Sequence, residues 1–286
     1  MIKLYYQLTK PGIIYGNALS ATAGFLFASC IIRKFDPGLY IAFIAGTSLV
    51  IACGCVINNY IDRGLDKNMA RTSNRALVLG KIPTRSALLF GVLLGIIGFW
   101  LLFTFTNNIT AMLGVIGLFF YLIVYSIMKR QTALGTVVGS VSGATPMAAG
   151  YTAVIGDFNG AAIFLFLSMV FWQMPHFYSI AIYRFQDYKS AGLPVLPVTK
   201  GFRHTKHQII GYIAAFTVTA SLLTVFDYTG YVYMAIIFSA GLYWLFAGLD
   251  GLKASDDKVW GRQMFKISLI VLLIYCIALS VGELLP

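Results

Sequence analysis

Apolar runs long enough to cross a bilayer recur along almost the whole 286-residue chain. A helix of roughly 20 apolar residues spans the ~30 Å hydrocarbon layer, because each helical residue advances about 1.5 Å. Nine such runs are present, at 12–32, 38–57, 85–105, 110–128, 134–153, 160–181, 208–226, 230–249 and 267–285. Only 11% of the residues are charged, whereas a soluble domain carries about 25%. The sequence therefore predicts an all-α, polytopic membrane protein with about nine transmembrane helices.

The two longest connections, 58–84 and 182–207, each follow an even-numbered run and open with polar residues. Long connections are where function tends to lie. Their matching positions suggest an internal repeat in which each half gives a polar helix end to a shared cavity. We expect one transmembrane domain over 1–286, with halves of about 1–130 and 131–286 around a central cavity open to the cytoplasmic side.

The distribution of Lys and Arg predicts the orientation. With the N-terminus inside and nine spans, only Arg33 and Lys34 among the basic residues fall on the outer side of the membrane. The basic residues placed inside are Lys3, Lys10, Arg63, Lys67, Arg71, Arg75, Lys81, Arg85, Lys129, Arg130, Arg184, Lys189, Lys200, Arg203, Lys206, Lys253, Lys258, Arg262 and Lys266. Because Lys and Arg accumulate on the cytoplasmic side, the pattern predicts a cytoplasmic N-terminus and a periplasmic C-terminus.

The overall charge and the N-terminal segment bear on partners and location. A net charge of +11 requires no nucleic-acid partner, since topology and attraction to anionic lipid account for it. Residues 1–10 lack the features of a signal or transit peptide, which favours a bacterial inner (plasma) membrane. The four cysteines lie in or at the ends of apolar runs without a C-x-x-C pair, so we expect small core residues.

Asn58, Asp62 and Asp66 follow the second apolar run at steps of four. This spacing places three side chains on one helix face, where two carboxylates repel by a few tenths of a kcal/mol. A metal ion bound between the carboxylates would replace their repulsion by attraction to the ion, and Mg²⁺ prefers such oxygen ligands. Lys67, Arg71 and Arg75 follow as cations able to hold a diphosphate. The alternative is a solvated acidic turn at the end of a membrane helix; the neighbouring Asn and cations favour the metal–diphosphate interpretation.

The second long connection carries a different polar set. It contains Tyr183, Arg184, Asp187, Tyr188 and Lys189. Of these, Tyr183, Arg184, Asp187 and Lys189 are candidate substrate-binding residues, and Arg184 and Lys189 could bind phosphate or a propionate-type carboxylate. With one carboxylate instead of two, this set is the poorer metal site.

Two polar residues lie within the apolar runs. His176 follows Pro175 in the sixth run, and a histidine in a membrane helix is a candidate functional residue. The alternative for His176 is a neutral imidazole bonded to a neighbouring helix. Asn17, the only strongly polar residue inside the first run, is expected to face the same cavity.

Several segments carry a resemblance to a known family. The N-x-x-x-D-x-x-x-D face, M-A-R-T-S-N-R at 69–75 and W-Q-M-P-H-F…Y-R-F-Q-D-Y…G-L-P-V-L-P-V from residue 172 resemble the protohaem IX farnesyltransferase family. That family is a branch of the UbiA-like intramembrane prenyltransferase superfamily. The similarity runs almost end to end. Ala76 replaces a proline common in relatives, and the Arg184–Lys189 block replaces a second Asp-rich motif.

The resemblance implies transfer of farnesyl from farnesyl diphosphate to the vinyl group of protohaem IX, giving haem O. It implies Mg²⁺ held by Asn58, Asp62 and Asp66. The cations sharing the diphosphate would be Arg71, Arg75, Lys129 and Arg130. His176 would contact the haem iron or a propionate. The lipid bilayer is the setting, and a terminal oxidase or haem A synthase is a candidate protein partner.

Three other functions remain as alternatives to this one. A prenyltransferase for an aromatic or quinone precursor would share the first motif. A transporter would share the helix count, although its polar groups would lie within the spans. A non-catalytic haem-handling or oxidase-assembly subunit would have no reason to stack carboxylates beside so many cations.

Overall fold

The computed structural model describes residues 1–282, and every regular element in that range is helical. A π-helical segment, Phe120–Tyr125, joins α6 to α7, and a 3₁₀ turn, Gly251–Lys253, follows α12. The helices are α1 (Ile2–Leu8), α2 (Pro11–Ile31), α3 (Pro37–Ile61), α4 (Arg63–Asp66), α5 (Thr84–Phe105), α6 (Asn108–Phe119), α7 (Ser126–Gln131), α8 (Gly135–Ile155), α9 (Gly160–Tyr183), α10 (Phe185–Ser190), α11 (Leu196–Val225), α12 (Tyr231–Asp250) and α13 (Asp257–Ser280). The predicted all-α, polytopic class is confirmed.

Within residues 1–282, eight helical stretches are long and apolar enough to cross a membrane. One of them, Asn108–Gln131, combines α6, the π-helical segment and α7. The eight correspond to eight of the nine predicted runs. The predicted fifth run corresponds to α8, a 21-residue helix with an internal proline, which is not among the eight. A ninth crossing therefore stays a prediction.

Several helices extend beyond the predicted apolar runs into polar sequence. The helix α11 begins at Leu196 and α13 at Asp257, each earlier than the apolar run inside it, and α3 continues to Ile61. Apolar composition marks the lipid-crossing part, whereas the backbone hydrogen bonds that define a helix also form in water. The predicted last run reached 285; α13 ends at Ser280, and residues 283–285 lie outside the described range.

Glycines allow α2 and α8 to approach closely. A Cβ at Gly24 would overlap the carbonyl oxygen of Met147, and a Cβ at Gly150 would overlap that of Ala21. Small residues at helix crossings permit such backbone contact in membrane proteins. Two further glycines of α8 meet side chains: Gly139 lies against the Tyr125 ring and Gly143 against the Gln173 amide.

The long helices enclose one large cavity of about 810 Å³. Its wall takes residues from α2, α3, α6, α7, α8, α9 and α13. Both long connections reach the cavity: the first through Asp66 and Arg71, the second through Tyr188 and Val195. The two halves therefore meet at one polar mouth, and the internal repeat itself stays a prediction.

Substituting a crossing glycine tests the α2–α8 contact. We expect Gly150→Ala to lower the stability by about 1–3 kcal/mol, the usual cost of overpacking a well-packed site. The measurement is the thermal unfolding midpoint in detergent micelles. Gly211→Ala in α11 is the matched control, because a Cβ there meets no atom within 4 Å. Equal midpoints for the two variants would contradict a backbone-to-backbone crossing at Gly150.

Candidate active site

The acidic face at the end of α3 keeps its helical register into α4. The N–H of Asp62 donates to the carbonyl of Asn58 at 2.9 Å, and the N–H of Asp66 donates to that of Asp62 at 2.9 Å. All three side chains line the cavity. Asn58 and Asp66 are buried. The three residues predicted to share one face therefore lie together at the cavity mouth.

Cations from other segments pair with both carboxylates. Lys129 Nζ lies 2.6 Å from Asp62 Oδ2, and Arg75 Nη1 lies 2.6 Å from Asp66 Oδ2. A longer contact of 3.5 Å joins Arg130 Nη2 to Asp62 Oδ1. A buried carboxylate is tolerated when it is paired and hydrogen-bonded. The repulsion expected between the stacked carboxylates is thus offset by cations from α7 and from the connection after α4.

Lys10, predicted only to be one of the basic residues on the inner side, also belongs to the site. Its Nζ donates to Asn58 Oδ1 at 2.7 Å, and it lines the cavity. Burial lowers the pKa of Lys10 to about 8, outweighing the opposite effect of the Asp62 and Asp66 carboxylates. A bound anion would favour its charged form. The one sequence signal for this role is a lysine immediately before the first long apolar run.

The donor set at the mouth fits a hard divalent cation. Asp62, Asp66 and Asn58 supply carboxylate and amide oxygens, which Mg²⁺ prefers. No three His, Cys, Asp or Glu residues in the described range are placed to bind a metal, so the amide oxygen and further non-protein ligands would complete the shell. Asn58 Nδ2 is buried without a hydrogen-bond partner within residues 1–282. An unfilled N–H donor here suits a phosphate oxygen.

Arg71 links the two long connections. It lines the cavity together with Arg75 and Tyr188. Burial raises the pKa of Tyr188, and the nearby Arg71 guanidinium opposes that shift. Arg71 therefore lies at the mouth close to α10, where it adds to the positive charge around the acidic face.

Two stacked tyrosines form the wall next to Lys129. The rings of Tyr121 and Tyr125 lie 6.1 Å apart and 10° from parallel, and Lys129 Nζ lies 4.9 Å from the Tyr125 centroid. Both rings line the cavity. Tyr151 of α8 is buried away from this wall, where its hydroxyl accepts from Asn159 Nδ2 at 3.1 Å.

Most of the polar set in the second connection lies away from the cavity. Arg184 pairs with Asp187 at 3.7 Å one turn along the chain, and Lys189 lies over the Phe185 ring. The Tyr183 ring packs against α13. None of the four predicted substrate-binding residues of this connection, Tyr183, Arg184, Asp187 and Lys189, is on the cavity wall, whereas their neighbour Tyr188 is.

The two polar residues predicted within the spans both line the cavity. His176 Nδ1 lies 2.8 Å from Ser268 Oγ, and its ring stacks on Trp172 with centroids 4.9 Å apart. Asn17 Nδ2 donates within its own helix, to the carbonyl of Ile13 at 2.8 Å. Both therefore face the space that the acidic face opens into.

A mouth of carboxylates and cations above apolar helix walls defines an intramembrane enzyme that handles a lipid-soluble phosphate ester. Residues 18–270 match the model of the UbiA prenyltransferase family, and the chain belongs to that family. It is 48% identical to the "Protoheme IX farnesyltransferase" of Protochlamydia amoebophila (strain UWE25), over 95% of each chain. It is 47% identical to the protein of that name from Salmonella typhimurium, over 100% of this chain and 96% of that one.

Solved structures of low sequence identity share the fold. A digeranylgeranylglyceryl phosphate synthase superposes with a TM-score of 0.81 at 20% identity, covering 99% of this chain and 98% of that one. A UbiA homologue from Archaeoglobus fulgidus, bound to GPP and Mg²⁺, superposes with a TM-score of 0.74 at 16% identity, covering 97% and 99%. These neighbours establish the architecture of the helices.

Neutralising one carboxylate tests the acidic face. We expect Asp62→Asn, and separately Asp66→Asn, to slow diphosphate release from a prenyl diphosphate by at least about 100-fold, since preorganised charge is commonly the largest catalytic contribution. Steady-state rates in detergent provide the measurement.

Asp36→Asn is the matched control for that experiment. Asp36 caps the opposite end of the same helix by accepting from the Leu39 N–H at 3.0 Å, and Asn also caps well. The Asp36→Asn variant should keep the wild-type rate of diphosphate release. Full activity in an Asp62→Asn, Asp66→Asn double variant would show that the carboxylates play no part in the reaction.

Proposed function

We propose that the protein transfers the farnesyl group of farnesyl diphosphate to the vinyl group of protohaem IX, giving haem O and diphosphate with one water consumed. The observation that carries the proposal is a single cavity with a charged mouth and apolar walls. The names of relatives at 47–48% identity support the choice of donor and acceptor. The product would supply haem for a terminal oxidase.

The mouth would bind the diphosphate. Asp62 and Asp66, with the amide oxygen of Asn58, would hold Mg²⁺, which when bound neutralises charge that grows on the leaving diphosphate. Lys10 and Arg75 each contact this acidic face and would turn to phosphate oxygens when those oxygens arrive. Further positive charge would come from Arg71, Lys129 and Arg130.

The deeper wall would bind the farnesyl chain and keep water from the allylic carbon. A C15 chain partitions into apolar surroundings at about 25 cal/mol per Å² of buried surface. Tyr121 and Tyr125 present ring faces beside the mouth, and ring faces attract a developing cation. These side chains would shield the allylic cation until the vinyl carbon attacks it.

We further propose that the protein lies in a bacterial inner membrane with its N-terminus and cavity mouth on the cytoplasmic side. The distribution of Lys and Arg supports this orientation. A water-soluble diphosphate ester carrying a lipid-soluble chain would reach the mouth from the cytoplasmic leaflet. A terminal oxidase or haem A synthase that takes up the product is the expected protein partner.

The decisive experiment is product formation by the purified protein in detergent. With farnesyl diphosphate, Mg²⁺ and protohaem IX we expect haem O, identified by mass, together with stoichiometric diphosphate. Replacing protohaem with an aromatic prenyl acceptor tests the principal alternative activity. Absence of any prenylated product would favour a transporter or a non-catalytic haem-handling subunit.

Metal dependence follows from the donor set. We expect EDTA to abolish activity and added Mg²⁺ to restore it, because Asp62 and Asp66 then lose and regain the ion that links them to diphosphate. The measurement is haem O formation before and after the addition of metal. Full activity in EDTA would mean that Lys10 and the arginines hold the diphosphate unaided.

The orientation can be tested by cysteine labelling. We expect an impermeant thiol reagent to modify Asn74→Cys and Ser190→Cys only from the cytoplasmic side, and Asp157→Cys only from the opposite side. All three positions are exposed, and the parent protein in this assay has its four native cysteines replaced by serine. Modification of all three from one side would contradict the predicted alternation of the spans.

A further inference from the structure

His176 lies among aromatic rings on the cavity wall. Its ring stacks on Trp172 at 4.9 Å within α9 and lies 5.0 Å from the Phe265 ring of α13. Ser268, one turn beyond Phe265, contacts its Nδ1 at 2.8 Å. Two helices therefore hold the imidazole in one orientation.

The hydrogen bonds of Ser268 determine the tautomer of His176. Ser268 Oγ lies 2.6 Å from the carbonyl oxygen of Phe265. Two oxygens this close need a hydrogen between them, so the hydroxyl donates its only hydrogen to that carbonyl. Toward His176 the hydroxyl oxygen can then only accept. Nδ1 therefore carries the hydrogen, and Nε2 carries the lone pair.

The lone pair on Nε2 has no hydrogen-bond donor within residues 1–282. The contacts of His176 there are the Nδ1 bond and the rings of Trp172, Phe177 and Phe265. The side chain nevertheless lines the cavity. The side chain is half-buried, so the Nε2 lone pair is open to the cavity and available to an electron-pair acceptor that enters there.

The tautomer of His176 distinguishes between two candidate partners of Nε2, a propionate carboxylate and the haem iron. A carboxylate accepts hydrogen bonds only, so it gains nothing from a lone pair on Nε2. No carboxylate within residues 1–282 pairs with His176 to stabilise an imidazolium protonated on both nitrogens. An electron-pair acceptor such as iron suits the neutral imidazole. Histidines that ligate metals characteristically donate the other ring N–H to a fixed acceptor, as Nδ1 does here to Ser268.

The depth of His176 suits the acceptor better than the diphosphate. It lies seven positions before Tyr183, the last residue of α9, or roughly 10 Å along the helix. The acidic face and its cations lie at the mouth of the cavity, at the end of α3. A ring bound at His176 would therefore lie below the diphosphate and against the apolar wall.

We propose that Nε2 of His176 coordinates the iron of the porphyrin acceptor, with Ser268 as the positioning residue that holds the imidazole in the ligating tautomer. The inference rests on the proposed function, since it takes protohaem as the acceptor. The bond would anchor the centre of the porphyrin at a defined depth and leave the mouth cations free for the diphosphate.

Comparing two porphyrins tests the bond to iron apart from packing of the ring. The probes are iron(III) protoporphyrin IX and metal-free protoporphyrin IX, titrated into the detergent-purified protein. His176→Phe keeps an aromatic ring and lacks Nε2. We expect it to weaken binding of the iron porphyrin by at least about tenfold, to remove the histidine-ligated signature in resonance Raman and EPR spectra, and to leave metal-free binding unchanged.

Matched controls come from the other two histidines and from Ser268. His204 and His207 lie in α11 outside the cavity wall. The His204→Phe and His207→Phe variants should therefore keep wild-type spectra and affinities. Ser268→Ala should retain the histidine-ligated spectrum with weaker iron binding, because the imidazole can then adopt either tautomer. Ser268→Thr, which keeps the hydroxyl, should restore the affinity.

Distinct outcomes overturn the inference. An unchanged spectrum in His176→Phe refutes ligation, and equal weakening with both porphyrins shows that His176 only packs against the ring. Should His176→Phe fail to fold, His176→Gln with the same titrations decides the question. Haem O formation by the wild type without a histidine-ligated spectrum refutes this inference and keeps the proposed function. Wild-type protein that binds neither porphyrin refutes both.

Discussion

The pairing of buried carboxylates with cations from distant segments is the interaction on which the mouth of the cavity depends. Asp62 and Asp66 lie where the lipid-crossing part of α3 ends, and their charges are tolerated only because Lys129 and Arg75 lie 2.6 Å away. Removing one partner of a buried ion pair costs about 3–5 kcal/mol. The pairs thereby tie the end of α3 to α7 and to the first long connection, and they hold those segments around a single opening.

The same pairs keep the site ready for an anion. In the proposed reaction each cation that neutralises a carboxylate in the free protein would also bind the diphosphate, and Lys10 contacts the group through Asn58. Preorganised charge of this kind avoids the cost of reorganising the site during the reaction.

The proposed reaction also requires a cavity wall that is apolar and still selective for its substrate. Close approach of α2 and α8 at Gly24 and Gly150 brings the helix that follows Lys10 against the second half of the chain. Within the cavity, several polar side chains are satisfied inside their own helices, as Asn17, Ser20 and Thr145 are. His176 differs, since one nitrogen is held by Ser268 and the other is left for a ligand.

The sequence by itself determined the membrane class, the approximate positions of the spans and the acidic face. These depend on local properties: apolar run length sets how far a helix can cross lipid, and steps of four set which side chains share a face. For the same reason Asn58, Asp62 and Asp66 could be recognised together without a structure. The polar beginnings of α11 and α13 lie beyond the predicted runs, because apolar composition marks the lipid-crossing part of a helix and not its backbone hydrogen bonding.

Only the tertiary structure decided which distant residues meet. The pairing of Lys129 with Asp62 spans 67 positions and that of Lys10 with Asn58 spans 48, so no periodicity relates the partners. Packing of α10 likewise decided that Tyr188 faces the cavity while Arg184 and Asp187 pair elsewhere. The tautomer of His176 depends on Ser268, which lies 92 positions away on α13. Local sequence sets helical faces, whereas the packing of whole helices in lipid sets which faces oppose one another.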